Sequence, residues 1–385
     1  MGVNDPPRGR LAIRELERGI VSRATVDAFL AAHDFPIVEG TSVTFVWRGD
    51  ASAVNLRHWI YGLPSSQPLR RIAHSDLWCV TVQLPESSRV EYKFEIVYGN
   101  QRQWIEDPLN DDRARDPFGA NSVCHTAGHE EPDWTREDPD ARPGTMEEIT
   151  VDSEALGGPR TVQLYYPARY RTTRRYPLVV AHDGPDYLNY SGLKTILDNL
   201  IHRLEIPGMI VALIDSERRL VEYADYEPHD RFVAEELVPQ LERDLPLEGT
   251  RSGRCLMGAS FGAVACFSAA VRYPDLFGRL LLQSGSFAFS DVGVNERGPV
   301  FDSVVDLVNR YRDEPVRIAD RVFVSCGTYE SLIYENRSLV PLLQAAGMDI
   351  RYVEARDGHN WENWRDRLRE GLSWLYPGPL WMVYE

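Results

Sequence analysis

The stretch CLMGASFGAVA, residues 255 to 265, ends an apolar run at Gly258 and sets Ser260 between Gly258 and Gly262. The pattern G-x-S-x-G fits a sharp strand-to-helix turn that lifts a serine oxygen clear of the backbone as a nucleophile. Side chains at the two glycine positions would collide with the neighbouring strand and helix. The small residues Gly262, Ala263 and Ala265 let the following helix lie close to a sheet, and its N-terminal end favours a developing oxyanion. With 28 glycines in the chain, the pattern arises by chance on the order of 0.1 times; its place after a buried strand and before an Ala-rich helix gives it weight. A serine hydroxyl needs a base to take its proton, and a carboxylate usually orients that base. In this kind of turn the partners follow in the order Ser, Asp or Glu, His. Of the nine histidines only His359 comes after Ser260, in the polar loop ARDGHNWENW between the strand-like DIRYVEA and a final helix. Glu330, at the carboxyl end of RVFVSCG, is the favoured acid; Glu335 in the same loop or first helical turn, and Asp357 two residues before His359, remain alternatives. The expected oxyanion donors are the backbone N–H groups of Phe261 and of Gly184, the latter in HDGPDY after the strand YPLVVAH. His182 is assigned no proton-transfer role.

These residues need a scaffold that brings strand ends together. The runs YPLVVAH, GMIVALI, RCLMG, RLLLQSG and RVFVSCG read as strands buried on both faces. They alternate with the helical patterns KTILDNLIHRL, HDRFVAEELVPQLERDL, FGAVACFSAAVRYP and NRSLVPLLQAAG. Such alternation predicts a mostly parallel sheet with helices on both faces, whose ligands meet the carboxyl ends of the strands. Earlier in the chain the rhythm differs. A helical pattern runs from about Arg10 to Ala32, followed by SVTFVWRG, VNLRHWIYG, LWCVTVQL and VEYKFEIVYG, short alternating segments separated by Gly, Pro and Ser. These read as an antiparallel β-sandwich. From His125 to Gly144 the periodicity is lost and Pro and acidic residues accumulate, as in a linker. The expected organisation is a helical extension over 1–35, a sandwich over 36–128, a linker over 129–145 and the catalytic domain over 146–385.

A chain of 385 residues is long enough for these two domains. Its formal net charge of −16 and lack of a basic run argue against nucleic acid as a partner. Five cysteines without CxxC spacing read as buried thiols in a reducing compartment. No histidine pairs with a second ligand at zinc spacing, so neither metal nor cofactor is expected. The opening MGVNDPPRGR lacks a signal-peptide apolar core, and no run of 18 apolar residues occurs, so a cytoplasmic location without membrane partners is expected.

The chain resembles the enterochelin esterases, α/β-hydrolases of the esterase D-like group that open the trilactone of catecholate siderophores. The resemblance spans nearly the whole length: VTFVWRGDASAV, YKFEIV and WIEDPLNDDRARDPFGANSV in the first domain, and LIDSERRLVEYADYEPHDRFVAEELVP, GASFGA, CGTYE and DGHNWENWRDRLREGL in the second. It implies an immunoglobulin-like N-terminal sandwich, Ser260 as nucleophile, His359 as base, and Glu330 on the loop that holds the acid. It also places Arg219, Glu222 and Tyr223 on a segment lining the cleft, the competing reading being a salt-bridged loop that holds the next helix. The small-molecule substrate implied is an ester, the trilactone of a catecholate siderophore in its ferric or iron-free form. Being polyanionic, that substrate would need basic contacts, for which Arg102, Arg218 and Arg219 are candidates. The chain departs from relatives in having Asp357-Gly358-His359-Asn360 where Gly-Gly-His-Asp is frequent. Two further readings stand beside this one: a feruloyl or other sugar-acyl esterase or acyltransferase, and a non-catalytic carbohydrate binder using Trp47, Trp59, Trp78 and Trp104 as a platform.

Overall fold

The structure, a computed structural model, describes residues 11–293 and 297–379. The first ten residues of the expected extension and the last six of the expected catalytic domain lie outside the described residues. The chain divides into two compact units. One comprises Met1–Glu130 with Thr328–Glu330 and Ala355–Gly358; the other comprises Glu131–Gly327, Ser331–Glu354 and His359–Glu385.

The first unit begins with helices α1 (Ala12–Arg18) and α2 (Arg23–Ala31), the second opened by a Ser22/Thr25 capping box. Its strands are β1 (Ile37–Glu39), β2 (Ser42–Arg48), β3 (Ala53–His58), β4 (Ser66–Pro68), β5 (Arg70–Arg71), β6 (Leu77–Gln83), β7 (Arg89–Tyr98), β8 (Gln101–Ile105), β9 (Arg113–Asp116) and β10 (Gly119–His125). They form two sheets, β1-β2-β6-β5 and β4-β3-β7-β10-β9, with β8 also paired to β7. The sheets share one core in which Val43, Phe45 and Trp47 meet Leu56, Tyr92 and Phe94. Strand β2 is buried almost throughout instead of alternating. The reason is that α1 and α2 cover its outer face, where Val46 joins Ile13, Val26 and Phe29. Trp47 and Trp78 lie in the sandwich core, which leaves only Trp59 and Trp104 of the suggested sugar platform exposed.

In the second unit the elements run in order: β11 (Thr145–Ser153), β12 (Gly158–Tyr166), β13 (Leu178–His182), α3 (Gly184–Tyr190), α4 (Leu193–His202), β14 (Ile210–Ile214), α5 (Arg219–Glu222), α6 (Glu227–Arg231), α7 (Val238–Asp244), β15 (Arg254–Ala259), α8 (Phe261–Arg272), β16 (Arg279–Gln283), α9 (Asp302–Asp313), β17 (Arg321–Gly327), α10 (Ile333–Ala345), β18 (Asp349–Ala355), α11 (Trp361–Arg365) and α12 (Leu368–Leu375). The strands make one eight-stranded sheet in the order β11-β12-β14-β13-β15-β16-β17-β18. Strands β11 and β12 run antiparallel, and β14, β13, β15, β16 and β17 are parallel. Successive strand residues serve opposite cores. Val180, Ala212 and Leu256 pack with α8, α9 and α10, whereas Val179, Val211 and Cys255 pack with α4 and α12. Burial on both faces is why these strands are written as continuous apolar runs.

The helix expected over HDRFVAEELVPQLERDL is one path in three pieces, with a π turn at Phe232–Leu237 between α6 and α7. Pro239 lacks the N–H that a regular turn would use, and the wider turn accommodates the loss. The stretch read as a linker is fastened to the second unit. Trp134 is buried in its core, Asn199 donates to the carbonyls of Trp134 (2.9 Å) and Arg136 (2.6 Å), and the Gly144 N–H donates to Asp198 (2.7 Å). Single anchors hold this segment, so it has no periodicity to betray its packing. No helix among the described residues is long and apolar enough to cross a membrane.

Candidate active site

Ser260 joins β15 to α8 with φ 57° and ψ −120°, a backbone conformation that costs a non-glycine residue free energy and persists only where its surroundings enforce it. The enforcement comes from both sides. A Cβ on Gly258 would stand 2.4 Å from the carbonyl of Gly262, and one on Gly262 would stand 3.1 Å from Asp183 Oδ2 and 3.3 Å from His182 Cβ. Glycine at both positions therefore lets the chain double back on itself. The Ser260 N–H donates to Gln283 O at 2.9 Å, and the Ser286 N–H donates to Ser260 O at 3.2 Å. The serine is partly exposed while Gly258, Ala259 and Phe261 are buried; its Oγ lies 3.2 Å from Ser286 Oγ.

Phe261 is the first residue of α8 and Gly184 the first of α3. Gly184 is glycine because of close packing: a Cβ there would meet Leu213 Cβ at 2.4 Å. Asp183, just before it, takes φ 55°.

His359 is exposed in the loop between β18 and α11, and its ring meets the Trp364 indole edge to face, centroids 5.0 Å apart. Trp364 in turn donates from Nε1 to Ser284 Oγ at 2.9 Å. The fully buried Gln283 connects these parts. Its backbone oxygen receives the Ser260 N–H, its Nε2 donates to Trp364 O at 2.8 Å, and its Oε1 receives the Tyr187 hydroxyl of α3 at 2.8 Å. Sequence reading passed over Gln283. The available signal was a lone amide closing the apolar run RLLLQ, where the side chain must find partners or incur the cost of burial.

Glu330 is buried and belongs, with Tyr329, to the first unit. In that unit the Tyr61 N–H donates to Tyr329 O at 2.7 Å and the Arg89 N–H to Arg356 O at 2.9 Å. The Arg89 side chain, 1% exposed, reaches Asp357 Oδ1 at 3.2 Å and Glu91 Oε1 at 3.0 Å. Asp357 also accepts from the Gly358 N–H at 2.7 Å. In the second unit the buried Glu335 of α10 is ion-paired with Arg297.

The trio on and beside α5 divides. Glu222 is buried and receives the Ser216 hydroxyl at 2.6 Å and Arg160 at 3.0 Å. Tyr223 is fully buried, its ring against His182 and His229. Both side chains are thus engaged inside the fold, as in the salt-bridged-loop reading. Arg219 is partly exposed and binds Asp183 through two hydrogen bonds of 2.7 Å. Burial pushes the proton affinity of that carboxyl up, and the Arg219 guanidinium opposes the rise. Arg218 is exposed, and Arg102 of the first unit pairs with Glu95 at 3.4 Å.

His182 is fully buried under the serine turn. Its Nε2 faces His229 Nε2 at 3.1 Å and its Nδ1 lies 3.3 Å from both Met257 O and Cys266 Sγ. The contact between the two rings needs one proton and one lone pair, so at least one of them is neutral. Burial drives His182 down to about 4 and His229 well below its ordinary value. All five cysteines are buried and none is in a disulfide.

A mostly parallel sheet whose fifth strand turns through a strained serine into a helix is the fold of an esterase. Residues 153–375 match the putative esterase family and residues 42–134 match the enterochelin esterase N-terminal family. The chain belongs to the putative esterase family, carries the enterochelin esterase N-terminal domain, and is a carboxylic ester hydrolase. It is 26% identical over 372 residues to the iron(III) enterobactin esterase of Escherichia coli O6:H1, covering 87% of this chain and 91% of that one. It is 27% identical over 237 residues to an uncharacterized protein of Bacillus subtilis, covering 60% and 97%. The fold is that of the Shigella flexneri enterobactin esterase crystallised in the presence of enterobactin, with TM-score 0.71, 24% identity, and coverage of 89% and 94%.

Proposed function

We propose that this esterase hydrolyses the ester bonds of a catecholate siderophore trilactone with Ser260 as nucleophile. The observation that carries the mechanism is the enforced conformation of Ser260 at the head of α8. The relatives named as enterobactin esterases, matched along nearly the full chain, support the substrate class. In this reading His359 takes the Ser260 proton as the oxygen attacks a lactone carbonyl. The N–H groups of Phe261 and Gly184 stabilise the tetrahedral oxyanion, and His359 returns the proton to the leaving serine hydroxyl. Water, deprotonated by the same imidazole, then releases the acyl group. Glu330 orients the base; Asp357 is engaged with Arg89 and Glu335 with Arg297. The N-terminal sandwich is of immunoglobulin-like type, and the enzyme works on a small molecule in the cytoplasm.

The test is mass-spectrometric identification of products from ferric and iron-free catecholate trilactones, with aryl and sugar-acyl esters in parallel. Linear catecholoyl-serine products are expected, and Ser260→Ala should lower kcat/KM by at least about a thousandfold. Faster turnover of feruloyl esters would overturn the substrate assignment, and trilactone turnover by Ser260→Ala within tenfold of the parent would overturn the nucleophile.

A further inference from the structure

The large sheet of the second unit has an edge opposite to the serine turn, where β13 and β14 begin. Ser260 follows the carboxyl end of β15, which runs parallel to β13. Tyr176 and Gly208 stand two residues before β13 and β14 respectively. Since β13 has five residues, this edge lies about 17 Å from the one that carries the serine. A cavity of about 400 Å³ opens here, a volume in the range of small-molecule sites.

Its lining has two characters. Pro167, Ile201, Leu204 and Pro207 make apolar walls together with the buried Tyr165 and Tyr176. Gly208 keeps the interior open: a Cβ there would already touch Pro167 at 3.4 Å and Tyr176 at 3.6 Å, so a longer side chain would fill the space. The exposed Arg142, Arg169 and Arg174 stand on the rim, the last with its guanidinium 5.9 Å from the Tyr176 ring centroid. Two of the lining residues, Arg169 and Leu204, hold left-handed backbone, each at φ 60°. Leu204 is also 53% exposed, an apolar side chain kept at the lip by a conformation that costs it free energy. Strain of this kind clusters where ligands are clamped.

The charges on the rim are unusual for this chain. Elsewhere its arginines meet carboxylates, as Arg203 meets Asp133 and Arg254 meets Glu242. Arg142, Arg169 and Arg174 have no ion pair among the described residues. Of the two aspartates that also line the cavity, Asp198 is engaged by Lys194 at 2.7 Å and by the Tyr165 hydroxyl at 2.8 Å. Asp140 is left to face three guanidinium groups. A cationic rim over an apolar interior selects a ligand with both complements. An inorganic anion would leave the walls wet, and a neutral ring would leave the rim unmet. A carboxylate can take two parallel N–H bonds from one guanidinium while its ring enters the apolar space.

We propose that this cavity is a second binding site of the chain, one that takes a single-ring aromatic carboxylate. Two sources share that chemistry: a catecholoyl-serine released at Ser260, and a free aryl acid that never enters the catalytic cleft.

The experiment measures binding by isothermal calorimetry to the full chain after its reactive serine has been blocked with a fluorophosphonate. The probes are benzoyl-serine, its methyl ester, catecholoyl-serine, benzoate and inorganic phosphate. Expected is saturable binding of benzoyl-serine that weakens about ten- to a hundredfold in Arg169→Ala/Arg174→Ala, the scale of losing a charged hydrogen-bonded contact. Gly208→Leu, which fills the cavity and leaves the rim charged, should weaken it similarly. Unblocked samples of both variants should hydrolyse the uncharged ester p-nitrophenyl butyrate at the parent rate, which shows that the fold and the distant catalytic edge are intact. Tighter binding of catecholoyl-serine than of benzoate would assign the site to the enzyme's own product, and the reverse order to a free aryl acid. Four results would overturn the proposal: parent affinity in the arginine double variant, equal affinity for the methyl ester, displacement of benzoyl-serine by an equal concentration of phosphate, or no saturable binding of any aryl carboxylate up to about 10 mM. Failure of the nucleophile assignment would show separately, as activity surviving in Ser260→Ala.

Discussion

At the scale of single residues, the serine turn is defined by atoms that are missing. Gly258→Ala would drive a Cβ to 2.4 Å from backbone that cannot retreat without opening the turn. The expected outcome is about 1–3 kcal/mol of destabilisation, read from the urea midpoint, with esterase activity falling far more than the folded fraction. The buried His182 and His229 make a prediction with a definite sign. Their folded-state proton affinities are depressed, His182 to about 4, so between that value and the ordinary 6.5 the unfolded chain binds more protons than the folded one. Their contribution to stability is therefore complete above pH 6.5 and is lost as pH falls toward 4, whereas Asp107 and Asp230, which burial raises to about 6 and about 7, act in the opposite sense. His229→Gln removes one of the two titrating rings, so unfolding free energy measured in denaturant should fall less between pH 6.5 and about 4 than in the parent chain. An unchanged fall would show that other groups carry the acid sensitivity.

At the scale of elements, the site depends on what happens where strands stop. The carboxyl ends of β13, β15 and β16 deliver Asp183, Ser260 and Gln283 in succession. Gln283 then ties the serine turn to α3 and α11 by three hydrogen bonds. In the first unit Arg89 opens β7, and its charge is met by Glu91 and Asp357. Burial raises the proton affinity of Glu91, so its ionisation depends on that arginine. Arg89→Met should cost about 3–5 kcal/mol because two buried carboxylates lose their counter-charge. Adding Glu91→Gln and Asp357→Asn should recover much of that loss in denaturant unfolding. If the triple variant is as unstable as Arg89→Met, the loss lies in packing and not in unpaired charge.

At the scale of the whole molecule, the charge of −16 belongs to a chain whose arginines are extensively ion-paired; Arg219, Arg254, Arg272 and Arg337 each meet carboxylates. The more exposed among them, such as Arg337 with Glu354, contribute little to stability. A polyanionic substrate must therefore find its contacts among a few cations, and its binding should weaken with salt. For the ferric trilactone, KM is expected to rise between 20 and about 300 mM salt while KM for p-nitrophenyl butyrate stays level. Equal salt dependence for both esters would remove electrostatic recognition from the account.

The two-part organisation, the sandwich followed by a parallel sheet, and the turn at Ser260 with His359 downstream were all legible in the chain itself. Each depends on short-range rules: strand and helix periods, and the sterics of a turn whose glycines lie two residues to either side. The packing of the linker, the double burial of β2, and the parts played by Gln283, Asp183 and Arg89 were not, and for Glu222 and Tyr223 the chain left a cleft lining and a salt-bridged loop both open. Arg219 and Asp183 are 36 positions apart, and Arg89 and Asp357 are 268 apart. Which side chains meet across such distances depends on a strand order, β14-β13-β15-β16, that does not follow the order of the chain. Local spacing determined where a nucleophile could be presented; only the assembled sheet decided which charges and amides would hold it there, because those partners become neighbours only once the strands have paired.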